Sequence, residues 1–372
     1  MTDTDTGAAA ALQGPAPKSG ILDIAPYVGG KSKVDGVAEP MKLSSNENAL
    51  GAGSLAREAY EAAIRNLALY PDGRAAKLRE AVAKHHDLEP ERLIFGNGSD
   101  EVFALLNQTY LSPGDNIVTG EYGFLAYRIS ALANQAEVKS APEPKLKAEV
   151  DALLAQVDER TRIVYVSNPS NPTGSWNAAE EIERLHAALP SSVILVVDEA
   201  YAEFVTEPDW ATTFPLAKDS ANIVVTRTFS KIHGLAGLRV GFGYAPLAVA
   251  EAVDRIRLPF NVSVPGIEAA VAALADEAHV KASRELVQTW RPRLTQAIKG
   301  FGFDVPPSAG NFVLVRFKDV ERARAANDYL NSKGIIVRPV GGYGLHDSLR
   351  ITVGTEDQNR AVMDALSEFA AT

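Results

Sequence analysis

The sequence predicts an α/β fold, with a mostly parallel central sheet sandwiched by helices in a large domain and a smaller α+β C-terminal domain after it. Two observations carry this expectation. Between residues 51 and 265, short apolar or β-branched runs at 93–95, 116–119, 162–167, 193–198 and 222–227 alternate with stretches of helical period such as 100–110, 122–133 and 178–188. Near-continuous apolar strands separated by helices belong to a sheet covered on both faces. After Pro265 the character changes, and a long Ala-rich helical stretch leads into fewer strands.

Taken in order, residues 1–20 are rich in Thr, Ala, Pro and Gly without periodicity and read as a flexible tail. Residues 21–50 have no core of their own and are expected to form an arm that packs on the small domain. Residues 51–265 form the large domain, with 240–244 as a further strand. Residues 266–372 form the small one: helix 267–299, strand 312–317, helix 320–332, strands 335–339 and 348–353, and helix 356–369. No repeat at solenoid spacing interrupts this order.

Composition narrows the function. A net charge of −10 spread along 372 residues lacks the basic face that nucleic-acid binding needs. No apolar run approaches the roughly 20 residues of a membrane span. The chain has no cysteine, which removes disulfides, thiolate nucleophiles and Cys-type zinc sites. With no basic segment followed by an apolar stretch at the N-terminus, the expectation is a cytoplasmic enzyme. His85-His86 is the one close histidine pair and lacks the i, i+4 spacing of a helical metal site, so no metal is expected.

Candidate chemistry gathers where the apolar runs end. In Thr226-Arg227-Thr228-Phe229-Ser230-Lys231 a strand runs out into hydroxyl residues and one lysine. Ends of that kind face the crevice where open α/β sheets bind ligands. Lys231 can form an imine with an aldehyde cofactor, and Thr228 and Ser230 can donate to a phosphate; a plain loop lysine is the competing reading. Asp198 closes the run Val193-Ile194-Leu195-Val196-Val197 and is suited to hold a basic ring nitrogen protonated, though a helix-capping or magnesium-binding role stays open. Tyr201 stands three residues on, within reach of a ring oxygen. Asn168-Pro169-Ser170-Asn171-Pro172-Thr173-Gly174 is a stiffened turn that can hold the Asn171 amide at the same oxygen. Gly96-Asn97-Gly98-Ser99-Asp100-Glu101 opens a helix whose free N–H groups suit a phosphate. Glu101 stands at the third glycine position of a dinucleotide fingerprint, which argues against a nicotinamide site. An aldehyde, a ring nitrogen, a ring oxygen and a phosphate together describe pyridoxal 5'-phosphate.

With these motifs the chain resembles the fold-type I pyridoxal-phosphate aminotransferases, and among them the histidinol-phosphate aminotransferase family. The resemblance runs from about Ile21 to the C-terminus and is most specific in the segments 230–239 and 198–201. Segments 168–174, 257–262 and 337–344 follow. It implies that Lys231 is the Schiff-base lysine, and that Arg239, Ser230 and Thr228 meet the cofactor phosphate with Ser99 and Asp100. It further implies that Tyr122 stacks on the ring and that Tyr70 reaches the phosphate of a neighbouring subunit's cofactor, which makes a homodimer with shared active sites. Arg338 and Arg350 would bind the anionic end of the substrate; from the residues alone, either could be a surface ion-pair partner. Tyr27 and Asn46 would close over the substrate from the arm. The chain departs from the family at Gly29 and Ala49, where proline is usual.

The implied reaction is transamination of L-histidinol phosphate with 2-oxoglutarate, in histidine biosynthesis. An aromatic amino-acid aminotransferase, alone or as a second specificity, is the nearest rival. A phosphothreonine-type decarboxylase would share the same lysine, acid, tyrosine and asparagine but break another bond. A ligand-sensing regulator built on the same scaffold lacks support, since no DNA-binding module or basic patch is visible.

Overall fold

The computed structural model describes residues 15–34 and 37–372. Of the expected tail, residues 1–14 lie outside the described residues, and 15–20 are exposed. The strands are β1 Met41–Lys42, β2 Leu93–Asn97, β3 Asn116–Gly120, β4 Glu137–Ala141, β5 Thr161–Ser167 and β6 Ile194–Asp198. They continue with β7 Ile223–Thr228, β8 Val240–Tyr244, β9 Phe312–Arg316, β10 Ile335–Ile336, β11 Arg338–Val340 and β12 Leu345–Thr352.

Seven strands form one sheet in the order β2-β8-β7-β6-β5-β3-β4. Its neighbours pair in parallel except at β8, which runs antiparallel to both β2 and β7. Strand alternation sorts the side chains onto two faces. Val164, Leu195, Val197 and Val225 join Leu78, Leu185 and Ile267 on one side. Ile163, Tyr165, Val196 and Val224 join Phe103, Leu106 and Tyr127 on the other. This is the helix-covered sheet that the apolar runs predict.

The second unit is built on a three-stranded antiparallel sheet, β11-β12-β9. Trp290, Leu294, Phe312, Leu330, Val362 and Phe369 fill its core. The arm joins it: β1 pairs in parallel with β10, and Leu43 is buried in the same core. The run expected as one strand at 335–339 is split, because β10 pairs with β1 while β11 pairs with β12.

Three other differences have local causes. The expected helix 267–299 is two helices, Val264–Ala275 and Glu277–Gly300, parted at Asp276. The first packs on the helices Ser54–Ala63 and Ala76–His86 of the large sheet. The change of partner therefore falls at Asp276, whose Oδ1 accepts the His279 N–H at 3.2 Å, and not at Pro265. Pro265 lies in the first helical turn, where its missing N–H costs nothing. Edge strand β4 escapes the sequence pattern because its outer position leaves Glu-Val-Lys-Ser partly exposed. His85 and His86 close the helix Ala76–His86, and His86 packs between Phe214 and Phe242, where burial pushes its imidazole down to about 3. Among the described residues, no helix is long and apolar enough to cross a membrane.

Candidate active site

Strands β5, β6 and β7 end side by side, with Ser167 opposite Asp198 and Asp198 opposite Thr226. A cavity of about 250 Å³ opens over these ends. Its walls come from the start of helix Ser99–Tyr110, the loop after β7, the arm at Ser44–Glu47, and the paired strands β11 and β12.

Asp198 is buried on the cavity floor. Its Oδ2 accepts the Tyr127 hydroxyl at 2.6 Å and its Oδ1 the Thr226 hydroxyl at 3.1 Å. Burial pushes the carboxyl up to about 6 despite these two donors, because no cation stands against it. On the outer side, the Lys231 Nζ donates to Ser45 O at 3.0 Å and lies 5.7 Å from the centre of the Tyr201 ring. Burial first, and then the charge of Arg350, push this ammonium down to about 8. The Tyr201 hydroxyl accepts from Asn46 Nδ2 at 2.8 Å, and burial pushes it up to about 12.

A second group of donors lies at the helix start. Gly98, the N-cap, has φ 76° and offers no side-chain cap, so the first-turn N–H groups are left without one. Space there is tight: a Cβ at Gly98 would sit 2.4 Å from Arg239 Nη2, and one at Gly241 would sit 2.3 Å from Ser99 N. Thr228, Ser230 and Ser99 present buried hydroxyls to the cavity. Arg239 donates to Ser230 Oγ at 3.3 Å and to Asp100 Oδ2 at 2.8 Å. It holds φ 54°, and Asn46 holds φ 55°, a left-handed backbone that most side chains avoid and that often marks functional sites.

On the opposite wall, Arg338 and Arg350 are direct cross-strand partners. Like charges so placed repel, which fits an anion held between them. Arg350 is buried, bonds Asn171 Oδ1 through Nη1 and Ser44 O at 2.8 Å through Nη2, and leaves Nε without a partner. Arg338 donates to Val28 O at 2.6 Å, beside Tyr27.

The structure thus brings Lys231, Asp198, Tyr201, Asn171, Ser99, Asp100, Thr228, Ser230, Arg239, Tyr27, Asn46, Arg338 and Arg350 to one cavity. Two expected residues are elsewhere. Tyr122 does not line the cavity: it packs against the cluster of Tyr343, Val340 and Leu345, and Phe124 takes the cavity wall. Tyr70 is 83% exposed and stacks on Phe260, outside this chain's own cavity. Sequence reasoning also missed Tyr127 and Thr226, although a buried acid such as Asp198 demands hydrogen-bond donors nearby. The donor set suits a phosphorylated aromatic aldehyde with a basic ring nitrogen. The helix start with Arg239 fits the phosphate, the uncompensated Asp198 the nitrogen, and Lys231 the carbonyl.

Comparison with known proteins agrees. The family profile described as aminotransferase class I and II matches residues 38–366. Histidinol-phosphate aminotransferase 1 of Caulobacter vibrioides is 56% identical over 355 residues, which make up 95% of this chain and 99% of that protein. The histidinol-phosphate aminotransferase of Maricaulis maris is 48% identical over 355 residues, 95% and 98% of the two chains. The crystal structure of histidinol-phosphate aminotransferase from Sinorhizobium meliloti, in complex with pyridoxal-5'-phosphate, superposes with a TM-score of 0.88 at 29% identity. That match covers 95% of this chain and 97% of the other.

Proposed function

The chain belongs to the class I and II aminotransferase family, and on that premise we propose that it transfers the amino group of L-histidinol phosphate to 2-oxoglutarate. The products are imidazole-acetol phosphate and L-glutamate. The observation that supports this best is the meeting of Lys231, Asp198, Tyr201 and Asn171 in one cavity with a phosphate-suited helix start and two facing arginines. The relatives at 56% and 48% identity share this activity in their names, and the aromatic donor is not favoured.

The cofactor is pyridoxal 5'-phosphate, which when bound supplies a carbonyl that condenses with amines and a ring that draws electrons from the amino-bearing carbon. Arg239, Thr228, Ser230 and the N–H groups from Ser99 onward would hold its phosphate, and Asp198 its ring nitrogen. Asn171 and Tyr201 would reach its ring oxygen, and Phe124 would flank its ring. Lys231 Nζ moves the proton off the amino-bearing carbon of the donor. Burial equips it for this, since an ammonium held at about 8 leaves a usable neutral share near physiological pH. Arg338 and Arg350 bind the donor's phosphate and then the carboxylate of 2-oxoglutarate. Tyr27 and Asn46 close over the substrate from the arm.

The proposal extends to a large cofactor-holding domain, a small substrate-holding domain, and a cytoplasmic homodimer. In it Tyr70, exposed like Leu67, Leu69 and Leu258, would serve a neighbouring subunit's cofactor phosphate. A half-reaction tests the activity. Cofactor-loaded protein mixed with L-histidinol phosphate, without any keto acid, should yield one equivalent of imidazole-acetol phosphate per site. Release from L-phenylalanine alone would reassign the donor, equal rates would mean dual specificity, and carbon dioxide from phosphothreonine would overturn the reaction.

A further inference from the structure

A second cavity, of about 550 Å³, adjoins the first, and Tyr27 and Arg338 line both. It runs between the arm around Val28 and the helix Leu125–Ala133. Val28, Ile129, Leu132 and Pro339 give it an apolar surface, bordered by three cations, Lys31, Arg128 and Arg338. Among the described residues none of the three forms an ion pair. Arg128 bonds Ser140 Oγ at 3.0 and 2.9 Å, and Arg338 bonds the Val28 carbonyl. Among the described residues Asp23 is the one acid on the lining. On a chain of net charge −10, three cations facing one acid on a single lining make a local reversal of sign. A concave, low-dielectric wall with cations of one sign concentrates anions.

We propose that this groove is an outer anion-accepting subsite on the path to Lys231, holding a phosphorylated or dicarboxylate substrate before it passes Tyr27. The inference rests on the transamination reading of the inner cavity. Both proposed substrates are anions with an apolar or aromatic body, which matches an apolar floor with a cationic rim. Arg338 lines both cavities and is the cross-strand partner of Arg350, so it stands between the cations of the groove and the inner site.

Two variants of the cofactor-loaded full chain test this by stopped flow, reading the second-order rate constant and the maximal rate of the L-histidinol phosphate half-reaction. Lys31→Glu reverses a charge on an exposed segment. Leu132→Trp fills the groove from a side chain already 40% exposed, so the core is untouched. At about 0.02 M salt, Lys31→Glu should lower the second-order constant about fivefold or more, and at about 0.5 M salt the loss should vanish. Leu132→Trp should lower it at both salts, with the maximal rate unchanged in each variant. An unchanged constant in either variant at low salt overturns the proposal, as does a Lys31→Glu loss that persists at high salt. Wild-type protein is read first. If it fails to turn over the phosphorylated donor, the functional reading falls, whereas normal wild-type turnover with unresponsive variants removes the groove alone.

Discussion

The cavity has two halves that are built differently. Its floor and helix-start end come from the finishing residues of neighbouring parallel strands and one helix start: Asp198, Thr226, Thr228, Ser230, Lys231 and Ser99. Sheet register alone sets Asp198 beside Thr226, so short contiguous motifs carry this half. The opposite wall is assembled across the chain. Asn46 meets Tyr201, and Arg350 meets Asn171 and Ser44, through contacts that span 155 to 306 residues. On the proposed function the first half would hold a cofactor of fixed shape on rigid elements, and the second would arrange cations and an arm around substrates that exchange in each turnover. Changes in the floor should therefore abolish chemistry, and changes in the wall should weaken binding.

The sharpest way to break this comparison is Lys231→Ala, expected to lower turnover by about 10⁴-fold or more while thermal unfolding stays near the wild type. A variant that keeps substantial turnover would remove the floor from the chemistry.

Asp198→Asn separates catalysis from stability. Turnover should fall by about 10³-fold, since the amide cannot hold a ring cation. Cofactor-free stability should move the other way. The Asp198 carboxyl stands at about 6 in the fold against an ordinary 3.8, so the stability of its protonated form is full below pH 4 and lost as pH rises through 6. The cofactor-free variant should gain up to about 3 kcal/mol at pH 8 and almost nothing at pH 4, measured by urea unfolding.

For the wall, Arg350→Lys should raise the half-saturating concentration of the phosphorylated donor about 100-fold, with retained cofactor binding. A loss of cofactor instead would place Arg350 in the floor. The smallest effects distinguish two aromatics. Phe124→Leu should weaken cofactor retention by about threefold to tenfold. Tyr122→Leu should leave cofactor retention unchanged and cost about 1 kcal/mol in the cluster it shares with Tyr343.

That pair also marks where sequence legibility ended. The strand-end residues were readable because apolar runs announce where a strand stops and what its last residue is. Tyr122 and Phe124 lie on the turn between β3 and the helix that starts at Leu125, where no period says which side chain faces inward. Tyr127 has the opposite problem: its helical position reads as ordinary core, and only its hydroxyl, 2.6 Å from Asp198, makes it part of the site. The two arginines of the wall were readable through resemblance and not through pattern, because facing Arg338 with Arg350 requires the register of two strands. The helix break at Asp276 carried a local sign, an acid able to cap the following helix. Nothing polar enough before it suggested that Val264–Ala275 packs with the large sheet.

The most direct test of the account is chemical. Cofactor-loaded protein is reduced with borohydride, digested with trypsin and analysed by mass spectrometry. A pyridoxyl group on Lys231, within an uncleaved peptide covering residues 228–239, is the predicted result. A pyridoxyl group on any other lysine, or none in loaded protein, would contradict it.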